Sequence, residues 1–297
     1  MAAELSCESQ HVFRFSDFTS EPRQMLPPIQ GYEEKPLVSL EEAIQPLIPL
    51  VPEVEHMAWT AKQKHFNAEH GLTHDEAASI LIYTLEWNPS DKSFYIILNN
   101  TLQAADRQLL KPWFLYLRLI MTSLAKIPSD SNRLTVYRGI TLDLSAQYSK
   151  GSTVTWWRFS SCTTSIDVLS NEQFLGQTGT RTSFNIDCTS AKSIQQYSFS
   201  PDEEEVLLPP ARQFQVKAIL NSGNGLHIIQ LKEIEPKFPL IKPVPPPPRY
   251  PPKCNDPHLQ KNIDVMYLDQ VTIKFEHNFL QQSCHSKLNI YQSSTAA

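Results

Sequence analysis

The apolar residues of this chain change their rhythm once, near residue 133, and that change rules out most architectures. From Glu53 to about Lys126 they recur at helical spacing. After Arg133 they gather in short β-branched or aromatic runs separated by turn residues: Leu134–Ile140, Thr153–Ser161, Arg181–Ile186, Glu204–Leu208, Gln213–Ile219 and Leu226–Leu231. A helical block followed by a strand block predicts an α+β fold. The strands have no helices at crossover positions, which argues against a doubly wound nucleotide-binding sheet. No GxGxxG or Walker sequence occurs, in a chain with only 8 glycines.

The helical block carries its own punctuation. Pro52 lies near a helix start, where its missing N–H costs little. Val54, Met57, Ala58 and Ala61 then form an apolar stripe. Thr73 and Glu76 fit a capping box that opens a helix to about Trp87, with Ala77, Ile80, Leu81 and Leu85 on its core face. Asn88-Pro89-Ser90 breaks it. Ser93 to Gln103 is the next predicted helix, and Lys111 to Ile127, beginning at Pro112, the last.

Residues 1–36 mix charge, serine and proline and read as a poorly ordered or wrapping arm. The working domain is expected over 37–234, helical over 53–128 and strand-rich over 134–234. Residues 235–252 form a proline-rich linker, expected as extended polyproline II, and 253–297 a tail of unknown role. Pro247-Pro248-Arg249-Tyr250 is a PPxY sequence of the kind WW domains bind, and Pro248 to Lys253 fits an SH3 ligand; a stiff spacer is the plainer reading.

A net charge of −5 offers no basic field for a nucleic-acid backbone. No apolar run reaches the roughly 18 to 20 residues that cross a bilayer. Met1 to Gln10 carries Glu4 and Glu8 and no apolar segment of the secretory kind, so a cytoplasmic location is expected. The five cysteines are scattered without metal-ligand spacing; reduced thiols are the simplest reading, with a Cys254–Cys284 disulfide left open.

Three stretches of the strand block carry chemistry. In Val136-Tyr137-Arg138-Gly139-Ile140 an arginine interrupts an apolar strand. If buried it needs a partner, either an internal acid or a ligand phosphate or carboxylate. Gly139 beside it allows close approach to the backbone. Trp156-Trp157-Arg158-Phe159 is followed by Ser160-Ser161-Cys162-Thr163-Thr164-Ser165, either a strand end and turn or a row of hydroxyls that orients a ligand. Cys162 has no histidine near it in sequence to activate it. The third stretch, Asp202-Glu203-Glu204-Glu205, leads into Val206-Leu207-Leu208, a buried strand bounded by prolines. It is either a solvated face or a place to stabilise a cation. In an extended chain Glu203 and Glu205 share one face. Tyr197 and Phe199, just upstream, are candidates for an aromatic platform under a flat substrate.

An arginine on the first strand, then Ser-x-Ser/Thr after an aromatic strand, then Glu-x-Glu at a strand entrance, resembles the R-S-E class of ADP-ribosyltransferases. Val136-Tyr137-Arg138-Gly139, Phe159-Ser160-Ser161-Cys162-Thr163 and Glu203 to Pro210 are similar to the eukaryotic arginine-specific mono-ADP-ribosyltransferases. So is the helical lead-in, in Leu72-Thr73, Asp75-Glu76-Ala77, Tyr83-Thr84 and Leu98-Asn99. The resemblance spans about residues 50 to 234. It implies a helical block packed on a strand-rich β-sandwich core, NAD+ or NADP+ as cosubstrate with no metal, and a protein substrate with an accessible arginine. It implies that Arg138 holds the dinucleotide through phosphate and ribose, that Gly139 presents backbone to the nicotinamide carboxamide, and that Ser161 supports the catalytic glutamate. A register placing Ser165 in the motif is the alternative. Glu205 is then the catalytic glutamate and Glu203 the one that serves the acceptor arginine, while Asn99 and Tyr83 join the cofactor-binding set. Cys162 stands where the family often has threonine, and Gln103 where it often has arginine. NAD+ hydrolysis at the same site, and a non-catalytic protein displaying the PPxY linker, are the alternatives in function.

Overall fold

Thr73 closes a capping box as the sequence predicts: its hydroxyl accepts the Glu76 N–H, and the Glu76 carboxylate accepts the Thr73 N–H at 2.7 Å. This helix belongs to a computed structural model that describes residues 21–22, 24–67, 69–129, 134–171 and 174–245. The chain divides into two compact units, 1–245 and 246–297. The second unit, with Pro247, Pro248, Tyr250 and the tail, lies outside the described residues.

Six α-helices occur among the described residues: α1 (Leu40–Ile44), α2 (Val54–Gln63), α3 (His74–Thr84), α4 (Phe94–Leu102), α5 (Phe114–Lys126) and the single turn α6 (Ile166–Leu169). Helix α3 stops at Thr84, short of the expected Trp87. The Trp87 N–H is taken by the Ser93 hydroxyl at 3.0 Å, which holds the chain extended as it approaches Pro89. The last predicted helix begins as a 3₁₀ segment, Arg107–Trp113, because Pro112 has no N–H to give; α5 follows.

The strands are β1 (Leu134–Ile140), β2 (Thr153–Trp156), β3 (Ser160–Thr163), β4 (Arg181–Cys188), β5 (Lys192–Ser193), β6 (Glu205–Leu208), β7 (Arg212–Asn221) and β8 (Leu226–Ile234). They pair in the order β2-β7-β8-β4-β1-β3-β6-β5, antiparallel except for the parallel β4–β8 neighbours. The run predicted as one strand, Thr153–Ser161, is two: β2 pairs with β7, and β3 with β6. Asn99 causes the break. Its carboxamide accepts the Phe159 N–H at 3.1 Å and donates to the Phe159 carbonyl at 3.3 Å, so a side chain from α4 takes the place of a neighbouring strand.

The single sheet bends into a sandwich-like core. Trp156 of β2 and Phe184 of β4 meet edge to face at 5.3 Å, although β7 and β8 lie between their strands. Val136, Ile140, Phe184, Cys162, Val206 and Phe214 share this interior. The opposite side of β3 and β6 offers Phe159 and Leu207 to a second core made mostly by the helices. Segments flanking the domain also enter that second core. Leu26, Ile29 and Tyr32 are buried there, with Leu240 and Ile241. Ile29 bridges Ile241 through bonds of 2.8 and 2.9 Å to neighbouring backbone groups. The part of residues 1–36 that is described therefore wraps the domain.

Glu76 links this packing to local helix chemistry, since the carboxylate that caps α3 also pairs with Lys126 of α5 at 2.7 Å while only 3% exposed. Replacing Glu76 with Ala should cost about 2 to 4 kcal/mol in urea unfolding, and Glu76→Gln less, since the amide still caps the helix.

Candidate active site

Strands β1 and β3 pair at one position, Tyr137 opposite Thr163, and part beyond it. Arg138 reaches across the parting, and its Nη1 donates to the Ser161 carbonyl at 3.2 Å. On the other side β3 runs along β6, with Ser161 opposite Leu207 and Thr163 opposite Glu205. Directly paired residues share a face, so Ser161, Thr163 and Glu205 all point the same way. The cation, hydroxyl and carboxylate singled out in the sequence thus stand on three adjacent strands. All are buried: Arg138 at 5% exposure, Ser161 at 1% and Glu205 at 0%.

The hydrogen bonds divide the labour in a way the sequence did not reveal. Glu205 accepts from Ser198 Oγ at 2.9 Å. The hydroxyl of Ser161, expected to support the glutamate, has no hydrogen-bond partner among the described residues. A buried hydroxyl left unpaired is costly, and here it faces the same side as Glu205. Ser198 lies between Tyr197 and Phe199, in a stretch read for its aromatic rings alone, and a serine in a turn carries no signal of its own. Ser165 does not enter this arrangement; its N–H caps Thr163 Oγ1 at 3.1 Å at the start of the turn leading to α6.

The acidic stretch is not a simple strand entrance. Pro201–Glu203 form a 3₁₀ turn, Glu204 adopts a left-handed conformation (φ 45°), and β6 begins at Glu205. Strand alternation therefore does not relate Glu203 to Glu205 as the extended reading supposed. The strained residue between them turns the chain, and its carboxylate accepts from Thr164 Oγ1 at 3.2 Å. Glu203 is half-buried just ahead of that turn.

Tyr197 and Phe199 part company. Tyr197 is 1% exposed, packs near Phe66 and meets His70 Nδ1 through its hydroxyl at 3.1 Å, whereas Phe199 is 47% exposed. Of the expected aromatic platform, only Phe199 presents a surface. Asn99 and Tyr83 sit in the helical core behind Phe159. Asn99 donates to the Tyr83 hydroxyl at 3.3 Å, and the Tyr83 and Phe159 rings lie 5.3 Å apart. Gly139 faces the chain's own loop: a Cβ there would come within 2.7 Å of Leu175 Cβ and 3.2 Å of the Phe174 carbonyl. Cys162 points into the sheet interior, where burial pushes its thiol far up and leaves it inert. No cluster of three or more His, Cys, Asp or Glu suited to a metal occurs among the described residues.

One further acid near the site gave no local signal in the sequence. The Glu21 carboxylate accepts the Trp157 N–H at 3.3 Å. Burial pushes its pKa up to about 7, against the opposing pull of Trp157, Arg158 and Arg138. Arg158 is itself anchored by Nη2 to Asn100 Oδ1 at 2.6 Å.

The sequence model of the NAD:arginine ADP-ribosyltransferase family matches residues 37–238, more than half of the 297, and the chain belongs to this family. The family's reaction is transfer of ADP-ribose, with NAD as the cosubstrate. Among solved structures, a mutant of the eukaryotic mono-ADP-ribosyltransferase ART2.2 in complex with NADH is similar in fold, at 18% identity over 74% of this chain and 96% of that one, with a TM-score of 0.50. The ADP-ribosyltransferase HopU1 of Pseudomonas syringae pv. Tomato DC3000 matches at 23% identity over 61% of this chain and 87% of that one, with a TM-score of 0.48. Vis, an ADP-ribosyltransferase from Vibrio splendidus, matches in its complex with agmatine at 20% identity over 69% of this chain and 90% of that one, with a TM-score of 0.44. A comparison with curated proteins finds no match.

Glu21 makes the stability of the fold depend on pH. Its folded pKa of about 7 lies above the ordinary 4.5, so its favourable contribution is complete below about pH 4.5 and lost as pH rises through 7. Glu21→Gln should therefore match the parent protein in thermal unfolding near pH 4.5 and be the more stable of the two at pH 8, by roughly 2 kcal/mol.

Proposed function

We propose that the chain transfers ADP-ribose from NAD+ to arginine side chains of a target protein and releases nicotinamide. The observation that carries this reading is that buried Arg138, Ser161 and Glu205 stand on the adjacent strands β1, β3 and β6, Arg138 bonded to the Ser161 carbonyl, with the Ser161 hydroxyl unpartnered among the described residues. A cationic guanidinium and an orphaned hydroxyl suit a ligand with phosphate and ribose oxygens. Arg138 and Ser161 are the residues we assign to hold the dinucleotide.

NAD+ supplies a ribose already bonded to a cationic leaving group, so no protein acid is needed to expel nicotinamide. The protein's contribution is electrostatic. Positive charge grows on the ribose carbon as that bond breaks, and the Glu205 carboxylate is the fixed negative charge that stabilises it. In a site with 0% exposure at Glu205 such preorganised charge is worth far more than in water. The acceptor guanidinium arrives protonated and a poor nucleophile, because its pKa is above about 12. Glu203 is assigned to orient it and take the proton it loses as its nitrogen bonds to the ribose carbon. The 3₁₀ turn and left-handed Glu204 keep Glu203 off the strand and half-buried, at the edge of the site where the acceptor would have to enter. Exclusion of water decides the outcome, since water is the competing acceptor.

Incubation with labelled NAD+ and an arginine-rich acceptor tests the assignment. The intact chain should label the acceptor, and hydroxylamine should release the label, as expected for an arginine linkage. Glu205→Gln should lose about 10²- to 10³-fold in both labelling and nicotinamide release. Glu203→Gln should lose labelling yet keep NAD+ hydrolysis; an equal fall in both activities would show that Glu203 does not serve the acceptor.

A further inference from the structure

We infer that Ser198 is a positioning residue for this reaction: its hydroxyl aims the Glu205 carboxylate, and the helical block fixes that aim by gripping the backbone around it. The inference rests on the role given to Glu205 above.

Ser198 and Glu205 are both 0% exposed, and the bond between them is 2.9 Å long. A hydroxyl donating to a carboxylate is a charge-assisted bond, stronger and more directional than one between neutral groups. Ser198 lies in the connection between β5 and β6. The chain turns there through bonds from the Tyr197 and Ser198 N–H groups to the Ile194 carbonyl, both 2.8 Å, while the Ile194 N–H returns to the Glu205 carbonyl at 3.0 Å. The serine and the glutamate are therefore ends of one closed loop.

The helical block holds that loop at three consecutive residues. The Tyr197 hydroxyl meets His70 Nδ1 at 3.1 Å. Lys64, the residue after α2, donates to the Ser198 carbonyl at 2.7 Å. Thr84, the last residue of α3, accepts the Phe199 N–H at 3.0 Å and donates its own proton to the Leu81 carbonyl at 2.8 Å. With its neighbours and its own carbonyl fixed, the Ser198 hydroxyl donates to Glu205 while its oxygen accepts the Ser200 N–H at 3.4 Å, which further fixes its direction. The arrangement separates two serines by task. Ser198 holds the carboxylate, and Ser161, unpartnered, is left to the dinucleotide. Reactions that depend on fixed charge lose about 100-fold when a group shifts by about an ångström, so the loss of this bond should register in turnover rather than in NAD+ affinity.

The test uses the full chain and follows nicotinamide release at varied NAD+. Ser198→Ala should lower kcat by about 10- to 100-fold with KM for NAD+ within about twofold of the parent. Ser198→Thr, which keeps the hydroxyl, should recover most of the rate, and Ser161→Ala should raise KM instead. Glu205→Gln and the double variant Ser198→Ala/Glu205→Gln should turn over equally slowly, since the serine acts only through the carboxylate. Should Ser198→Ala fold poorly, Thr84→Val, close to isosteric, removes one of the three grips and should lower kcat without moving KM. A Ser198→Ala or Thr84→Val variant with the parent kcat, or a Ser198→Thr as slow as the alanine, overturns the positioning role. Full turnover by Glu205→Gln would instead overturn the reading of the site on which it rests.

Discussion

The two hydrogen bonds between the Asn99 carboxamide and the backbone of Phe159 decide how the strand half is built. They stand in for a strand partner at the point where the chain passes from β2 to β3. Without that substitution the run from Thr153 to Ser161 would have every local reason to continue as one strand, being aromatic, β-branched and free of proline. With it, β2 and β3 join different parts of the sheet, and β3 is delivered beside β6 in the register that places Thr163 opposite Glu205. The same helix reinforces the junction next door through Asn100 and Arg158. The helical block is thus the jig on which β2 and β3 are set apart, and the Tyr83, Tyr95 and Phe159 rings, packed edge to face and tilted behind Asn99, give that jig its stiffness.

What the sequence disclosed and what it withheld follow from the range of the forces involved. Helix existence, the Thr73–Glu76 cap and most strands were legible because periodicity and capping are local. Arg138 stood out because it interrupts an apolar strand, whereas Ser161 and Glu205 were singled out from a row of hydroxyls and an acidic run through the order of the three stretches. The break of the predicted strand at Phe159 was not, since it depends on an amide 60 residues earlier in the chain. Neither was Ser198, whose importance comes from its partner and not from its surroundings in sequence. The early end of α3 and the helical turn at Pro201–Glu203 were missed for a related reason: in each case a short-range competitor, a serine hydroxyl or a proline, outbid the period.

The electrostatic arrangement near the parting of β1 and β3 is economical. Burial takes the polar ends of Arg138 and Glu205 out of water, and the hydrogen bonds from Arg138 to the Ser161 carbonyl and from Ser198 to Glu205 replace part of the solvation that water gave up. The buried thiols of Cys162 and Cys188 face the sheet interior, where they behave as small apolar groups. Strand alternation turns Cys162 to the sheet interior, and Ser161 and Thr163 to the other face of β3, where Leu207 and Glu205 lie opposite them.

The bridge between Ile29 and Ile241 brings the leading and trailing edges of the domain side by side. Topologically the fold is then almost a ring. The two edges of the domain could be spliced by a short connector and a new opening cut in an exposed turn such as Ser222 to Gly225, between β7 and β8. A circularly permuted chain of this kind would keep the order of strands in space while changing their order of synthesis.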